Sequence, residues 1–309
     1  MRAIESARGA GVEAEIVVVD DASSDETAKV CEALKGIRYV RVERNQRVAG
    51  ARNLGILASS GEYITFLDDD DVRLPCSLSL QLKALEADPD AGMIYAQALI
   101  GDQDGLPVGR LYPLRCPQGD IFRDLLSRNF VPCGSAVFRR SCLYRVGLLD
   151  TAVPGLDDWD LWIRIAELYP VIALDQPVII WRQSAPGSDQ GSSTAVELVR
   201  LSASQFHERW MSLARAVDAS PNVRRAAWNR FSTNMARHLV WEALRALSRA
   251  RLRQSAHNLL MALRLFPLQV VREIFNGTNI RALLVKFKNR PVGTGTPAYF
   301  LERRSGRSK

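Results

Sequence analysis

The sequence predicts an α/β fold: a mostly parallel sheet with helices on both faces, followed by a helical C-terminal region. Over the first two hundred of 309 residues, short β-branched apolar runs alternate with segments of helical periodicity, a pattern that marks strand–helix–strand units. After about residue 194 the strand signals stop and apolar residues recur at helical spacing. A third observation concerns what the sheet holds. Four consecutive aspartates, Asp68 to Asp71, close the apolar run Tyr63–Leu67, and open α/β sheets hold their ligands at strand carboxyl ends.

The elements follow in order. Glu15 to Val19 is a buried-strand run, and the turn-like Asp21-Ala22-Ser23-Ser24 leads into a helix from Asp25 to about Leu34. Ser24 or Asp25 suits its cap, because their side-chain oxygens accept bonds from free helical N–H groups. A second strand surrounds Val40, a helix runs from Ala49 to Leu57, and Gly61 marks a break. The Tyr63–Leu67 strand, a helix from Pro75 to Ala87 and a strand over Met93–Ala98 come next. Past Asp104 the pattern is irregular, with a strand near Cys133–Phe138, a helix over Asp158–Leu168 and short strands at Val171–Leu174 and Val178–Trp181. Pro186 to Ser193 reads as a loop or lid, and the last dozen residues read as disordered. The expected organisation is an α/β domain over 1–193, a basic amphipathic helical region over 194–290 and a basic tail over 291–309.

Charge is distributed unevenly. The net +7 combines an acidic front, 20 Lys/Arg against 29 Asp/Glu in residues 1–199, with a basic rear, 21 against 5 in residues 200–309. The rear therefore suits an anionic partner such as a lipid surface, a polyprenyl diphosphate or nucleic acid. Its arginines are spread over several helices without clustered aromatics, which argues against nucleic acid. Five cysteines without CxxC spacing suggest neither zinc nor a disulfide framework. No signal-peptide run is visible, and the most apolar stretch, Asn258 to Val271, is broken by Arg264 and Pro267. The expectation is a cytoplasmic protein, soluble or peripheral at the inner membrane face.

The acidic run carries the chemistry. Like charges repel, and a strand end in a folded core is a costly place for four of them unless a cation neutralises them. Hard divalent ions such as Mg²⁺ bind one or two carboxylates together with substrate phosphates, so the run reads as a metal–diphosphate site.

Several segments then line up in one order. They are Ile16 to Thr27 with its Asp20-Asp21 pair; Asn45 and Gly50-Ala51-Arg52-Asn53-Leu54-Gly55-Ile56; Gly61 to Asp71 with its Asp-x-Asp; Gly147-Leu148-Leu149-Asp150; and Asp157-Asp158-Trp159-Asp160-Leu161-Trp162. Together they resemble the family 2 glycosyltransferases of the inverting GT-A fold, a Rossmann-like architecture, over roughly residues 1–190. The resemblance implies a nucleotide-sugar donor, with a UDP-sugar favoured, a divalent metal (Mn or Mg), and a glycan or lipid-linked acceptor in cell-envelope polysaccharide synthesis. It places Asp20, Asp21, Arg52 and Asp68 at the nucleotide, Asp70 on the metal and Asp158 as the base that deprotonates the acceptor. Asp71, Gly134, Ser135, Asp157, Trp159 and Arg182 are further donor or acceptor contacts. The helix dipole favours an ionised Asp158, whereas Asp157 pushes it the other way.

Two departures accompany the resemblance. The chain opens at Met1-Arg2-Ala3-Ile4, where the family has an apolar strand lying between the strands at Glu15–Val19 and Tyr63–Leu67. The expectation is that the family's first strand is missing and those two neighbours lack a ladder partner. Ser184 stands where many members carry a histidine, leaving Arg182 and Ser188 to hold the diphosphate. The alternative function is a degenerate, non-catalytic binding protein of the same fold.

Overall fold

The computed structural model describes residues 1–182 and 195–275. The chain divides into two compact units, Met1–Leu125 with Phe130–Ser188, and Leu126–Asn129 with Asp189–Lys309. The expected loop at Pro186–Ser193, with Ser184 and Ser188, and the tail over 291–309 lie outside the described residues.

In the first unit, α1 (Arg2–Arg8) leads to β1 (Val17–Asp21), α2 (Thr27–Glu32), β2 (Arg38–Val42), α3 (Arg47–Ala58) and β3 (Tyr63–Thr65). Next come the two-residue β4 (Val72–Arg73), α4 (Ser77–Glu86), β5 (Met93–Gly101) and β6 (Pro107–Tyr112). The short α5 (Phe122–Leu125), β7 (Val137–Arg139), α6 (Leu143–Val146), α7 (Asp157–Leu168) and β8 (Val171–Arg182) complete it.

β1 and β2 pair in parallel as a two-stranded sheet, Val17 opposite Arg38 and Asp21 opposite Val42. The other strands form a six-stranded sheet in the order β3-β7-β5-β8-β4, with β6 on β5. Only β5–β8 is parallel there; β3–β7, β5–β7, β4–β8 and β5–β6 are antiparallel. The α/β class stands, and the mostly parallel pairing is corrected to a mixed one. Parallel neighbours need a crossover of a dozen or more residues, whereas β5 turns directly into β6 and β7 enters between β3 and β5 in the reversed sense. The strands at Val17–Asp21 and Tyr63–Thr65 fall in separate sheets, each hydrogen-bonded on one side.

β8 is a single strand where two were expected. Its register against β5 shifts between Ala96 and Ala98, opposite Asp175-Gln176-Pro177, because proline has no N–H to give the ladder. The core beside it gathers Ala10, Leu78, Leu85, Ala91, Ile94 and Val137, with a second cluster of Ala96, Ala98, Val178 and Ile179. α4 starts at Ser77 because Cys76 takes a left-handed φ of 57°, and the free amides of Leu78 and Ser79 bond the Ala10 carbonyl. Gly11, at φ 89°, lets the chain pass so close that a Cβ there would lie 2.8 Å from Cys76 Cα.

The second unit is helical: α8 (Ala195–Glu208), the short α9 (Ala214–Val217), α10 (Pro221–Ser248), α11 (Leu252–Leu265) and α12 (Pro267–Phe275). Pro221 opens α10, where its missing N–H costs nothing. Aromatic packing holds the helices together: Phe206 and Phe231 centroids are 4.7 Å apart, and Trp228 lies 5.6 Å from Phe231 and 6.1 Å from Phe266. Among the described residues no helix is long and apolar enough to cross a membrane.

Candidate active site

The acidic run forms a tight corner between β3 and β4, closed by the Asp71 amide on the Asp68 carbonyl at 3.1 Å. A turn this tight points the four side chains in different directions. Asp68 Oδ1 accepts from Arg52 Nη2 at 2.9 Å. Asp69 is exposed. Asp70 Oδ2 is buried without a hydrogen bond and faces Arg182 Nη2 at 3.6 Å. Asp71 turns inward, 3% exposed, and its Oδ1 accepts the Arg182 backbone N–H at 2.9 Å. Burial, followed by the charges of Asp68 and Asp69, pushes the Asp70 carboxyl above its usual range. Asp71 is pushed up to about 8, first by burial and then by Asp68. Asp71 therefore anchors the end of β8 and is not turned toward an acceptor.

Opposite the corner, α7 opens with Asp157, Asp158 and Trp159. Arg52, on α3, spans the gap: its Nη1 donates to Asp157 Oδ2 and its Nη2 to Asp68 Oδ1, both at 2.9 Å. The guanidinium also lies 5.3 Å from the Phe66 ring centroid, within cation–π range. Its neighbour Asn53 exchanges two bonds with Leu149, Nδ2 to the carbonyl at 2.9 Å and the amide to Oδ1 at 3.0 Å. One turn of α3 thus ties the acidic corner to the segment that leads into α7. Arg52 was expected at the base or diphosphate; here it is committed to two carboxylates.

Asp158 is half-buried, with Oδ1 accepting the Trp159 amide at 2.6 Å. Its carboxyl is pushed up to about 7, first by burial and then by Asp157, with Arg52 opposing. Burial and the neighbouring charge outweigh Arg52 and the Trp159 amide. Trp159 is 4% exposed and donates its indole N–H to the Leu125 carbonyl at 2.8 Å, so it packs in the core and does not wall a sugar.

The turn Cys133–Ser135 closes the site from beneath. Gly134 sits where a Cβ would come 3.7 Å from both Asp71 Oδ2 and the Phe66 carbonyl. The amides of Ser135 and Ala136 bond Pro132 and Cys133 carbonyls at 2.9 and 3.2 Å, so neither is free for a ligand. Three consecutive carbonyls are held from inside: Gly134 by Arg73 Nη2 at 2.9 Å, Ser135 by Gln81 Nε2 at 2.7 Å and Ala136 by Thr65 Oγ1 at 2.7 Å. Arg73 is 2% exposed, also donates to Gln81 Oε1 at 3.1 Å and to Thr65 Oγ1, and burial lowers it to about 10. The sequence reading missed this clamp, because Arg73 in Val72-Arg73-Leu74 carries no local signal. Burial pushes the Cys133 thiol well above its ordinary value, with Arg52 opposing.

The nucleobase pair divides. Asp20 is 2% exposed, and both its oxygens are used, Oδ1 by the Ser23 amide at 2.8 Å and Oδ2 by the Tyr39 hydroxyl at 2.5 Å, with Arg41 at 3.2 Å. Burial pushes its carboxyl up, but those donors more than offset this and leave it below the usual range. Asp20 thus ties the turn after β1 to β2. Asp21 Oδ1 accepts the Gln46 amide at 2.6 Å, which joins the strand end to the start of α3.

Among the described residues no three or more His, Cys, Asp or Glu side chains converge as a ready-made metal cage. The corner nevertheless suits a cation shared with a ligand, since the buried Asp70 Oδ2 has no donor and Mg²⁺-type ions commonly take one or two carboxylates and complete their shell with phosphate and water.

Residues 2–147 match the sequence pattern described as Glycosyl transferase family 2. These residues, just under half of the chain, are thus similar to that family. Among its relatives is an uncharacterized glycosyltransferase of Haemophilus influenzae, 26% identical over 156 residues, which cover 50% of this chain and 52% of that protein. The succinoglycan biosynthesis protein ExoO of Rhizobium meliloti is 41% identical over 90 residues, 28% of this chain and 26% of that one. Of solved structures, S. aureus TarS 1-349 in complex with UDP aligns over 84% of each chain, with 16% identity and a TM-score of 0.48. The chain thus spans about half the length of the first of these relatives and a quarter of the second.

Proposed function

We propose that the protein is a metal-dependent inverting glycosyltransferase that moves a sugar from a nucleotide-sugar donor, a UDP-sugar favoured, to a hydroxyl of a glycan or lipid-linked acceptor in cell-envelope polysaccharide synthesis. One observation carries this reading: Arg52 joins Asp68 of the acidic corner to Asp157 beside Asp158 through two 2.9 Å bonds, so both acidic clusters serve one site. The ExoO likeness supports the polysaccharide setting.

Asp158 is the base in this reading. A carboxyl pushed up to about 7 is basic enough to take the acceptor proton and still ionised in part at neutral pH, the compromise a general base needs. The acceptor oxygen then forms its bond to the anomeric carbon as the sugar–phosphate bond opposite breaks. Arg182, whose Nε is buried without a partner, faces the leaving diphosphate beside Asp70. Asp70, with Asp68 toward the ribose, would hold the divalent cation, which supplies charge neutralisation to the phosphoryl oxygens. Asp21 lies at the nucleobase end. The setting proposed is the cytoplasmic face of the membrane, where the basic rear meets anionic lipid.

The test is donor hydrolysis across a panel of nucleotide sugars, with and without Mn²⁺, alongside calorimetry with UDP. Asp158→Asn should keep metal-dependent UDP binding and lose turnover by about a hundredfold or more, while Asp70→Asn should lose metal-dependent binding. UDP binding without any turnover in the wild type would favour the non-catalytic reading. No nucleotide binding at all would overturn both.

A further inference from the structure

We infer that the outward face of α11 is the docking surface for an anionic lipid bilayer. This deepens the membrane setting proposed above and rests on it for location alone. An ordinary surface helix has one apolar face, turned to the core; α11 has two. At about 100° per residue, the buried Asn258, Met261 and Ala262 and the half-buried Leu265 share one side. Leu252, Ala256, Leu259, Leu260 and Leu263 fall within an arc of about 100° on the other side, and all are exposed. The four leucines are 64%, 41%, 63% and 40% exposed. Such a stripe is too continuous for scattered surface leucines. Arg253 and Arg264, both exposed, border it along one edge, and α12 adds the exposed Leu268, Val271 and Arg272.

Charge decides between occupants. Residues 221–275 contain ten arginines and no lysine against two acidic residues, Glu242 and Glu273, of which Glu242 is already held by Arg245 at 3.2 Å. A second copy would bring the same arginines against themselves. The chain's own residues 276–309 carry eight Lys/Arg against Glu302 alone, so they are repelled as well. Anionic headgroups match the arginines, and the acyl boundary accepts the leucines, which is how an interfacial amphipathic helix is held.

The experiment is sedimentation of the full chain with vesicles of phosphatidylcholine alone or with 30% phosphatidylglycerol, at low and high salt. A triple variant, Leu259→Gln, Leu260→Gln and Leu263→Gln, is compared at matched circular dichroism and matched soluble-donor hydrolysis. Wild type should bind the anionic vesicles and release at high salt, and the triple variant should bind at least tenfold more weakly at low salt. Arg253→Gln with Arg264→Gln should weaken binding and flatten its salt dependence. Unchanged binding by the triple variant would remove α11 as the docking face and leave the membrane setting standing. A wild type that ignores anionic vesicles, or binds neutral ones equally, would overturn both. A dimer that the triple variant dissociates would assign the face to a second copy. Faster proteolysis of residues 276–309 in the lipid-free variant would assign it to that segment.

Discussion

Replacing Arg52 with methionine tests the bridge at the centre of the site. The side chain of Arg52 is 13% exposed, that of Asp157 4% and that of Asp68 39%. Removing the guanidinium leaves Asp157 buried without a counter-ion, and breaking such a pair costs about 3–5 kcal/mol. The more exposed Asp68 adds at most about 1 kcal/mol. Against a native stability of roughly 5–15 kcal/mol this lowers the melting temperature, and the variant stays folded only where the native stability exceeds the loss. The sharper effect is on Asp158, which then faces Asp157 with no cation between them. Arg52 holds the Asp158 carboxyl down, and a close opposite charge lowers a carboxyl by about 1–3 units, so its loss raises Asp158 by a similar amount. The assay is kcat/KM for donor hydrolysis from pH 5.5 to 9.5. The acid limb, near 7 in the wild type if Asp158 sets it, should move upward. For a rise of about 1–3 units the rate at pH 7 should fall by roughly 5- to 500-fold and recover as the pH passes the raised value. Arg52→Met with Asp157→Asn should bring the limb back and recover stability, a coupling that a double-mutant cycle measures. A limb that stays in place, or an equal loss of rate at every pH, would refute the reasoning.

Three further predictions concern the scaffold. Asp71 has a folded value raised to about 8 from an ordinary 3.8, so between those values the native state holds a proton that the unfolded chain releases. Metal-free stability should therefore fall as pH rises from about 4 to 8, by up to about 1.4 kcal/mol per pH unit, and denaturant titrations of wild type and Asp71→Asn would show it; a variant with the same slope would count against it. Arg73→Met leaves Gly134 O and Gln81 Oε1 without their buried donor, at about 1–3 kcal/mol each. No longer burying a cation offsets part of this, so a net loss of about 1–4 kcal/mol is expected in urea unfolding, and a stabilised variant would contradict it. Gly11→Ala places a Cβ 2.7 Å from Ser79 Oγ and 2.8 Å from Cys76 Cα at φ 89°, and should cost at least about 1–3 kcal/mol; an unchanged melting temperature would show that the α1–α4 junction yields.

What the sequence determined by itself was local. Periodicity set the α/β front and the helical rear, since each element's apolar spacing is a property of its own residues. The price of gathering like charges marked Asp68–Asp71, and the start of α7 marked Asp157 and Asp158. What each carboxylate does was decided only in three dimensions. Asp20 is consumed by Tyr39, Ser23 and Arg41; Asp71 turns in to the Arg182 amide; and Arg52 reaches Asp157 across 105 positions of sequence. Trp159 went to the core because an indole N–H found the Leu125 carbonyl. The sheet became mixed because β7 entered reversed between β3 and β5. The second apolar face of α11 was likewise invisible in a list of leucines, since only packing says which ones are covered. Hydrogen-bond partners and desolvation are set by neighbours in space, which no run of adjacent residues specifies.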